Sequence, residues 1–287
     1  MAYLFSVDRA WLWIAAALYL CGFLSGAVTL ARHRRYSNGP TFFIMAAGFA
    51  LQTIGLYLRG KTAGGCPTGN TFEILQFTTW SATAIYLVIG AAFRLSVLGI
   101  FTAAFASITS LASLAMPAWD AARRASHPGA TPWIEFHAAL ALFSHGVLAL
   151  LALTSLMWLL QWFSLKRRRM DGIFSFLPAM NALDKINLRL HAAGVVLLAA
   201  SLAVACAYSL RNTAATGGVN APMLVLTALW LLYAVALGLR LAHALAARRL
   251  AWVCIVLFAL AIAGIGAVSK HNNAAQPAPT VRTAPQP

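Results

Sequence analysis

The sequence predicts an all-α, polytopic membrane protein: a bundle of about eight transmembrane helices with both termini on the outer, extracytoplasmic side. Three observations predict it. Of 287 residues, 61% are apolar and only 9% are charged, whereas a soluble domain carries about 25% charged residues. The mean hydropathy is +0.77. Finally, the apolar residues fall in stretches long enough to cross a hydrocarbon core of about 30 Å, which takes roughly 20 residues of continuous helix.

Taken in order, the first stretch covers residues 11–31. It does not read as a cleavable leader, because it is long, Asp8 offsets Arg9 before it, and Arg32, Arg34 and Arg35 follow it like a stop-transfer anchor. The second covers 41–58. The third, 72–93, opens on Glu73, and the fourth covers 96–115. The fifth, 133–163, is long enough to tilt or protrude and opens on Glu135 and His137. The sixth, 190–210, begins at His191; the seventh, 222–242, ends beside His243; the eighth covers 250–269 and is followed by His271. Residues 1–269 thus form one transmembrane domain. Residues 270–287, rich in Pro and polar groups, form a tail expected to be disordered.

Basic residues orient the bundle, because Lys and Arg accumulate in cytoplasmic loops. Placing the arginines at 32, 34 and 35 inside also places Lys166, Arg167, Arg168, Arg169, Arg248 and Arg249 inside, and 13 of the 21 Lys and Arg residues in all. The net charge of +15 is therefore topological. It forms no stripe for nucleic acid. Residues 59–70 and 116–132 become outer loops, and 170–188 an amphipathic segment along the inner interface. The expected location is the plasma (inner) membrane, with the lipid bilayer as the first partner.

Chemistry has few carriers. No nucleotide-binding loop, nucleophile elbow or zinc pattern is present, and six carboxylates leave little for acid–base catalysis, so nothing supports an enzyme. Of the four cysteines, three lie in apolar stretches; Cys66 lies in a loop. Most of the nine tryptophans sit near span ends, as a lipid-anchoring belt does. Polar groups within spans are costly and begin as functional candidates. His137 and His271 fall at one level, His191 and His243 at the other, where those two could approach each other. His145 lies about 12 Å deeper than His137 and about 80° round the helix, so the pair cannot grip one iron from opposite sides. Imidazole is a common haem ligand. A histidine that merely hydrogen-bonds to a neighbour is the plainer reading of each, above all of His33 and His127 in polar loops and of His145.

Four segments carry a resemblance. LPAMNALDKINLRLHAAGVVLLAASL (177–202) resembles the LP–LD segment and following helix of the cytochrome c assembly family, which includes CcsA-, CcmC- and HemX-like membrane proteins. GNTFEILQFTTWSATAIYLVIG (69–90) is similar to its Asn-x-aromatic-Glu-x-Leu-x-Phe-x-x-Trp helix. WIEFHAALALFSHGVLALLAL (133–153) resembles the helix opening on a haem-associated histidine. LGLRLAHALAARRLAW (237–252) resembles its histidine, basic pair and last helix. The likeness runs over about 59–269.

The resemblance implies a protein that binds haem b and moves or handles it in cytochrome c biogenesis, beside other maturation subunits. His137 falls on the family's outer histidine and His243 on a membrane-embedded one; both are then axial ligands of haem iron. His271 stands near the second outer position, and His191 completes the set of cofactor-binding candidates. Full haem-delivery members carry a tryptophan-rich signature where this chain has RNTAATGGVNAP (211–222). The chain thus looks closer to the short HemX-type branch, which leaves open a membrane regulator or scaffold of a haem-pathway enzyme. A transporter of another small molecule is disfavoured, because no matched helix breaks appear in two halves.

Overall fold

A computed structural model describes residues 7–32, 38–93, 97–120, 132–167, 177–211 and 221–274. Among them are eight long helices: α1 (Val7–Ala31), α2 (Asn38–Ala63), α3 (Thr71–Phe93), α4 (Leu98–Ala115), α5 (Pro132–Lys166), α6 (Met180–Arg211), α7 (Ala221–Leu241) and α8 (Ala247–Ala274). All eight are long and apolar enough to cross a membrane. A single 3-10 turn, Pro117–Trp119, follows α4. His33, His127, residues 170–176 of the segment 170–188, residues 212–220 and the tail from 275 lie outside the described residues.

Two of the expected boundaries move. The segment expected to lie along the interface is instead the first turns of α6 from Met180 onward, continuous with the crossing helix. Its apolar residues Leu183, Ile186 and Leu190 are buried in the bundle; protein packing, not a lipid surface, satisfies their helical spacing. The last helix runs past residue 269 to Ala274, so the backbone of His271 is helical.

Helix α5 is the central pillar. With 35 residues it is about 52 Å long, and 78% of its most apolar window is buried, against 11% for α7. It packs on α3, α6 and α8, while α1 packs on α2 and α4, and α7 on α6 and α8. Two antiparallel halves, α1–α4 and α5–α8, thus meet mainly through α3 and α5. Between helices in lipid there is no water to expel, so close approach depends on small residues. Gly146 of α5 supplies it, since a Cβ there would stand 2.7 Å from the backbone nitrogen of Ala82 on α3. Gly146→Ala is expected to push the halves apart and cost about 1–3 kcal/mol, read as a lower melting temperature in detergent. An unchanged melting temperature would mean the α3–α5 seam has slack.

Large apolar side chains such as Phe43, Val88, Val196 and Val235 face outward, as a lipid-covered surface requires. The starts of α1, α3, α5 and α7 share one end of the bundle with the ends of α2, α4, α6 and α8. This is the Arg59 end, and the opposite one is the Arg240 end.

Candidate functional site

The Arg59 end is closed by a buried ion cluster. Arg9 of α1 donates from Nη1 to Asp120 Oδ2 at 2.5 Å and from Nη2 to the Leu114 carbonyl at 2.9 Å. Arg59 of α2 pairs with Asp120, with Glu73 at 2.7 Å and with Asp8 at 3.1 Å. Both guanidinium groups lie over the ring of Phe72, at 5.1 and 4.7 Å. Arg9 is 1% exposed and Asp120 0%. Charges this dry persist only when paired and hydrogen-bonded, and here two arginines are shared among three carboxylates.

The same residues start α3. Asn70 Oδ1 accepts the backbone N–H of Glu73 at 2.8 Å, and Glu73 Oε2 accepts that of Gly69 at 2.7 Å. This satisfies donors that a helix start leaves open. Asn70 Nδ2 also donates to Asp120 Oδ1 at 3.2 Å. Two turns on, Trp80 stacks on Phe49 with ring centres 5.4 Å apart and donates to Thr53 Oγ1 at 2.8 Å. The Asn-x-Phe-Glu–Trp pattern therefore has a structural account. It caps α3, neutralises Arg59 and welds α3 to α2. Beneath it, Tyr19, Gln52, Gln76, Ser110 and Ser113 form a hydrogen-bonded chain across α1–α4.

This cluster was not legible in the sequence as a unit. The available signal was scarcity: of six carboxylates, Asp8, Glu73, Asp120 and Glu135 all belong to the same end.

Cys66 lies in the loop above the cluster. Its backbone N–H faces Glu135 Oε2 of α5 at 3.4 Å. Burial, then the Glu135 and Glu73 charges, push its thiol up from 9.0 to about 11, away from the thiolate that redox chemistry uses. Its thiolate fraction at pH 7 is then about 100-fold below that of an ordinary thiol. Alkylation of Cys66, followed by peptide mass spectrometry, is expected to be slow at pH 7 and to accelerate towards pH 11. Reaction at pH 7 as fast as free cysteine would contradict this account.

The histidines separate into different environments. His137, near the start of α5, turns towards α6: its Nδ1 lies 2.8 Å from the Ser201 carbonyl and 2.9 Å from Ser201 Oγ. A carbonyl only accepts, so Nδ1 carries the proton and Nε2 keeps the lone pair. Ligating histidines commonly have this arrangement, with the second nitrogen fixed by a carbonyl. His145 spends Nδ1 on the carbonyl of Ala141 in its own helix, at 2.8 Å. His191 is fully buried, and its Nε2 donates to the Tyr233 carbonyl of α7 at 2.9 Å.

His243 is exposed in the turn that ends α7. There the Ala244 N–H returns to the Leu239 carbonyl at 2.9 Å and the His243 N–H to that of Arg240 at 3.1 Å. This is the helix-stop motif that favours glycine in the left-handed conformation. Helix α2 ends the same way, with Gly64 at φ +72° and the Gly65 N–H on the Gly60 carbonyl. At α7 the left-handed residue is His243, at φ +57°. Beside it, Arg240 pairs with Asp184 at 2.7 Å and donates to the Leu245 carbonyl at 3.2 Å, so the LP–LD segment anchors this turn.

His137 and His243 are therefore held at opposite ends of the α5–α8 half. His191 and His243 do not meet, because His191 sits at the level of Tyr233, about 15 Å before His243 along α7. The backbone of His271 is at the same end as His137; its side chain lies outside the described residues. Among the described residues no three His, Cys, Asp or Glu side chains gather as a metal cluster. A haem ligand set needs only one or two imidazoles.

The model of the cytochrome C assembly protein family matches residues 68–267, a span that opens at the Asn70 cap and closes in α8. The protein HemX of Brevibacillus brevis is 27% identical over 168 residues, covering 58% of this chain and 61% of that protein. An uncharacterized 28.8 kDa protein of Azospirillum brasilense, from the 5' region of a nifR3-like gene, is 29% identical over 165 residues, covering 55% and 59%. This chain thus spans about 60% of the length of these curated relatives. With seven-tenths of its length matched by the family model, the chain belongs to the cytochrome c assembly protein family.

Proposed function

We propose that this protein binds haem b within the membrane and handles it during cytochrome c biogenesis, alongside other maturation subunits in the plasma membrane. The observation that carries the reading is His137: its Nδ1 is tied to Ser201, so Nε2 is oriented and free of that bond. Bound haem would supply an iron that accepts this lone pair. His243 is the candidate at the other end, with an exposed ring that makes no hydrogen bond among the described residues. His271 is close enough in sequence to the end of α8 to serve at the His137 end. His191 has one nitrogen committed to Tyr233 and only Nδ1 left. In this reading the Arg59 end, with His137, faces outward, both termini are outside, and the basic Arg240 end faces the cytoplasm.

Purification in mild detergent with haem supplied, followed by an absorption spectrum, tests the reading. A Soret band is expected. Its absence after reconstitution would overturn haem binding.

A second reading, a membrane regulator or scaffold of a haem-pathway enzyme, is favoured by the sequence of residues 211–222, which lacks tryptophan and aspartate. It predicts no Soret band, together with a changed level of that enzyme when the gene is deleted.

A further inference from the structure

We propose that the interior of the α5–α8 half holds a buried water site, bounded by His191 and Asn187 of α6, Tyr233 of α7 and Ser155 of α5, and separate from the histidines at either end. Buried polar atoms nearly always have a partner, and those that lack one call for an unplaced water or ion. These four residues each carry one such atom: His191 Nδ1, Asn187 Oδ1, Tyr233 Oη and Ser155 Oγ are buried and have no hydrogen-bond partner among the described residues. Their side chains are at most 5% exposed.

Contacts around the four helices place these residues within about two helical turns of one another in depth. Asn187 and His191 are four residues apart, hence on one face of α6. The His191 ring meets the Tyr233 ring edge-on at 5.6 Å. Tyr233 is an electrostatic neighbour of Cys254 on α8, and Cys254 in turn adjoins Ser155 on α5. The thiol is a poor acceptor, and Ser155 Oγ closes no bond of good geometry. The register between α5 and α6 agrees independently. His137 lies opposite Ser201, and Leu148 packs on Gly194, which brings Ser155 opposite the turn containing Asn187.

The chemistry of the missing partner follows from the tautomer. Because His191 Nε2 donates to a carbonyl, Nδ1 of the neutral ring is a bare acceptor. Asn187 Oδ1 is a second acceptor, while Tyr233 and Ser155 each have a hydroxyl to give. The partner must therefore both donate and accept, and it must be small, since Tyr233 belongs to one buried apolar core with Leu183, Leu190, Leu198 and Leu229. Water meets both conditions, and buried waters typically make two to four such bonds. A cation would suit the two acceptors but would leave the hydroxyl protons unmet.

The test is a double-mutant cycle on the full chain in nanodiscs, using Tyr233→Phe and Asn187→Leu. These two side chains share no direct hydrogen bond, so a dry interior gives independent effects. A shared water gives a drop of several degrees in melting temperature for each variant, and a double variant that loses clearly less than the sum. A higher or unchanged melting temperature for Tyr233→Phe, or strictly additive losses, would overturn the proposal. Water-edited solid-state NMR of the unaltered protein provides a readout that does not depend on folding. Magnetisation transfer from water to the His191 and Tyr233 side chains is expected, and its absence would also overturn it.

Discussion

Asp120→Ala is expected to be the most damaging single change in the α1–α4 half, costing about 3–5 kcal/mol. Asp120 is fully buried and receives Arg9, Arg59 and Asn70 at once. Removing it leaves two guanidinium groups with less anionic partnership in a site that water does not reach. Uncompensated buried charge is costlier than the loss of a contact. The gross attraction is not the quantity at stake, because pairing mostly offsets the cost of desolvation. For that reason the combined change Arg9→Met with Asp120→Leu should recover much of the loss, by removing charge and partner together. Melting temperatures of the three proteins in one detergent decide the matter. An Asp120→Ala variant within about 0.5 kcal/mol of the original would show that the cluster is a wet surface feature.

The second large effect concerns haem, with fold and ligand separated. His137→Ala should lower retained haem by about 10–100-fold or more, since even partners behind a metal ligand have effects of that size. For His243 the informative variant is glycine. The helix stop places this residue at φ +57°, where any side chain costs about 1–2 kcal/mol; His243→Gly relieves that strain. Melting temperature should hold or rise while the haem at that end is lost. Loss of haem with loss of stability would point to misfolding. Unchanged haem would remove His243 from the ligand set and leave its backbone conformation without a functional reason.

The sequence alone determined the class of the fold and most of its elements. Apolar length translates into helices whenever lipid forbids unpaired backbone, so eight stretches became eight helices with modest boundary shifts. It also carried the family, through local patterns: the Asn70–Trp80 run, the LP–LD segment and the histidine before the last helix. Where those local patterns lead in three dimensions was not written in any one of them.

Only the tertiary structure decided the rest, because the deciding bonds join residues far apart in the chain. Arg9 and Arg59 looked like two loop charges until α1, α2 and the turn after α4 brought them to Asp120. His191 looked like an interfacial ligand near His243 until α6 was extended back to Met180, which buried its ring against Tyr233. The amphipathic pattern of 170–188 pointed to the inner interface, but from Met180 onward its apolar residues Leu183, Ile186 and Leu190 are buried against protein and not lipid. Hydropathy registers how apolar a neighbour must be; it is blind to which neighbour that is.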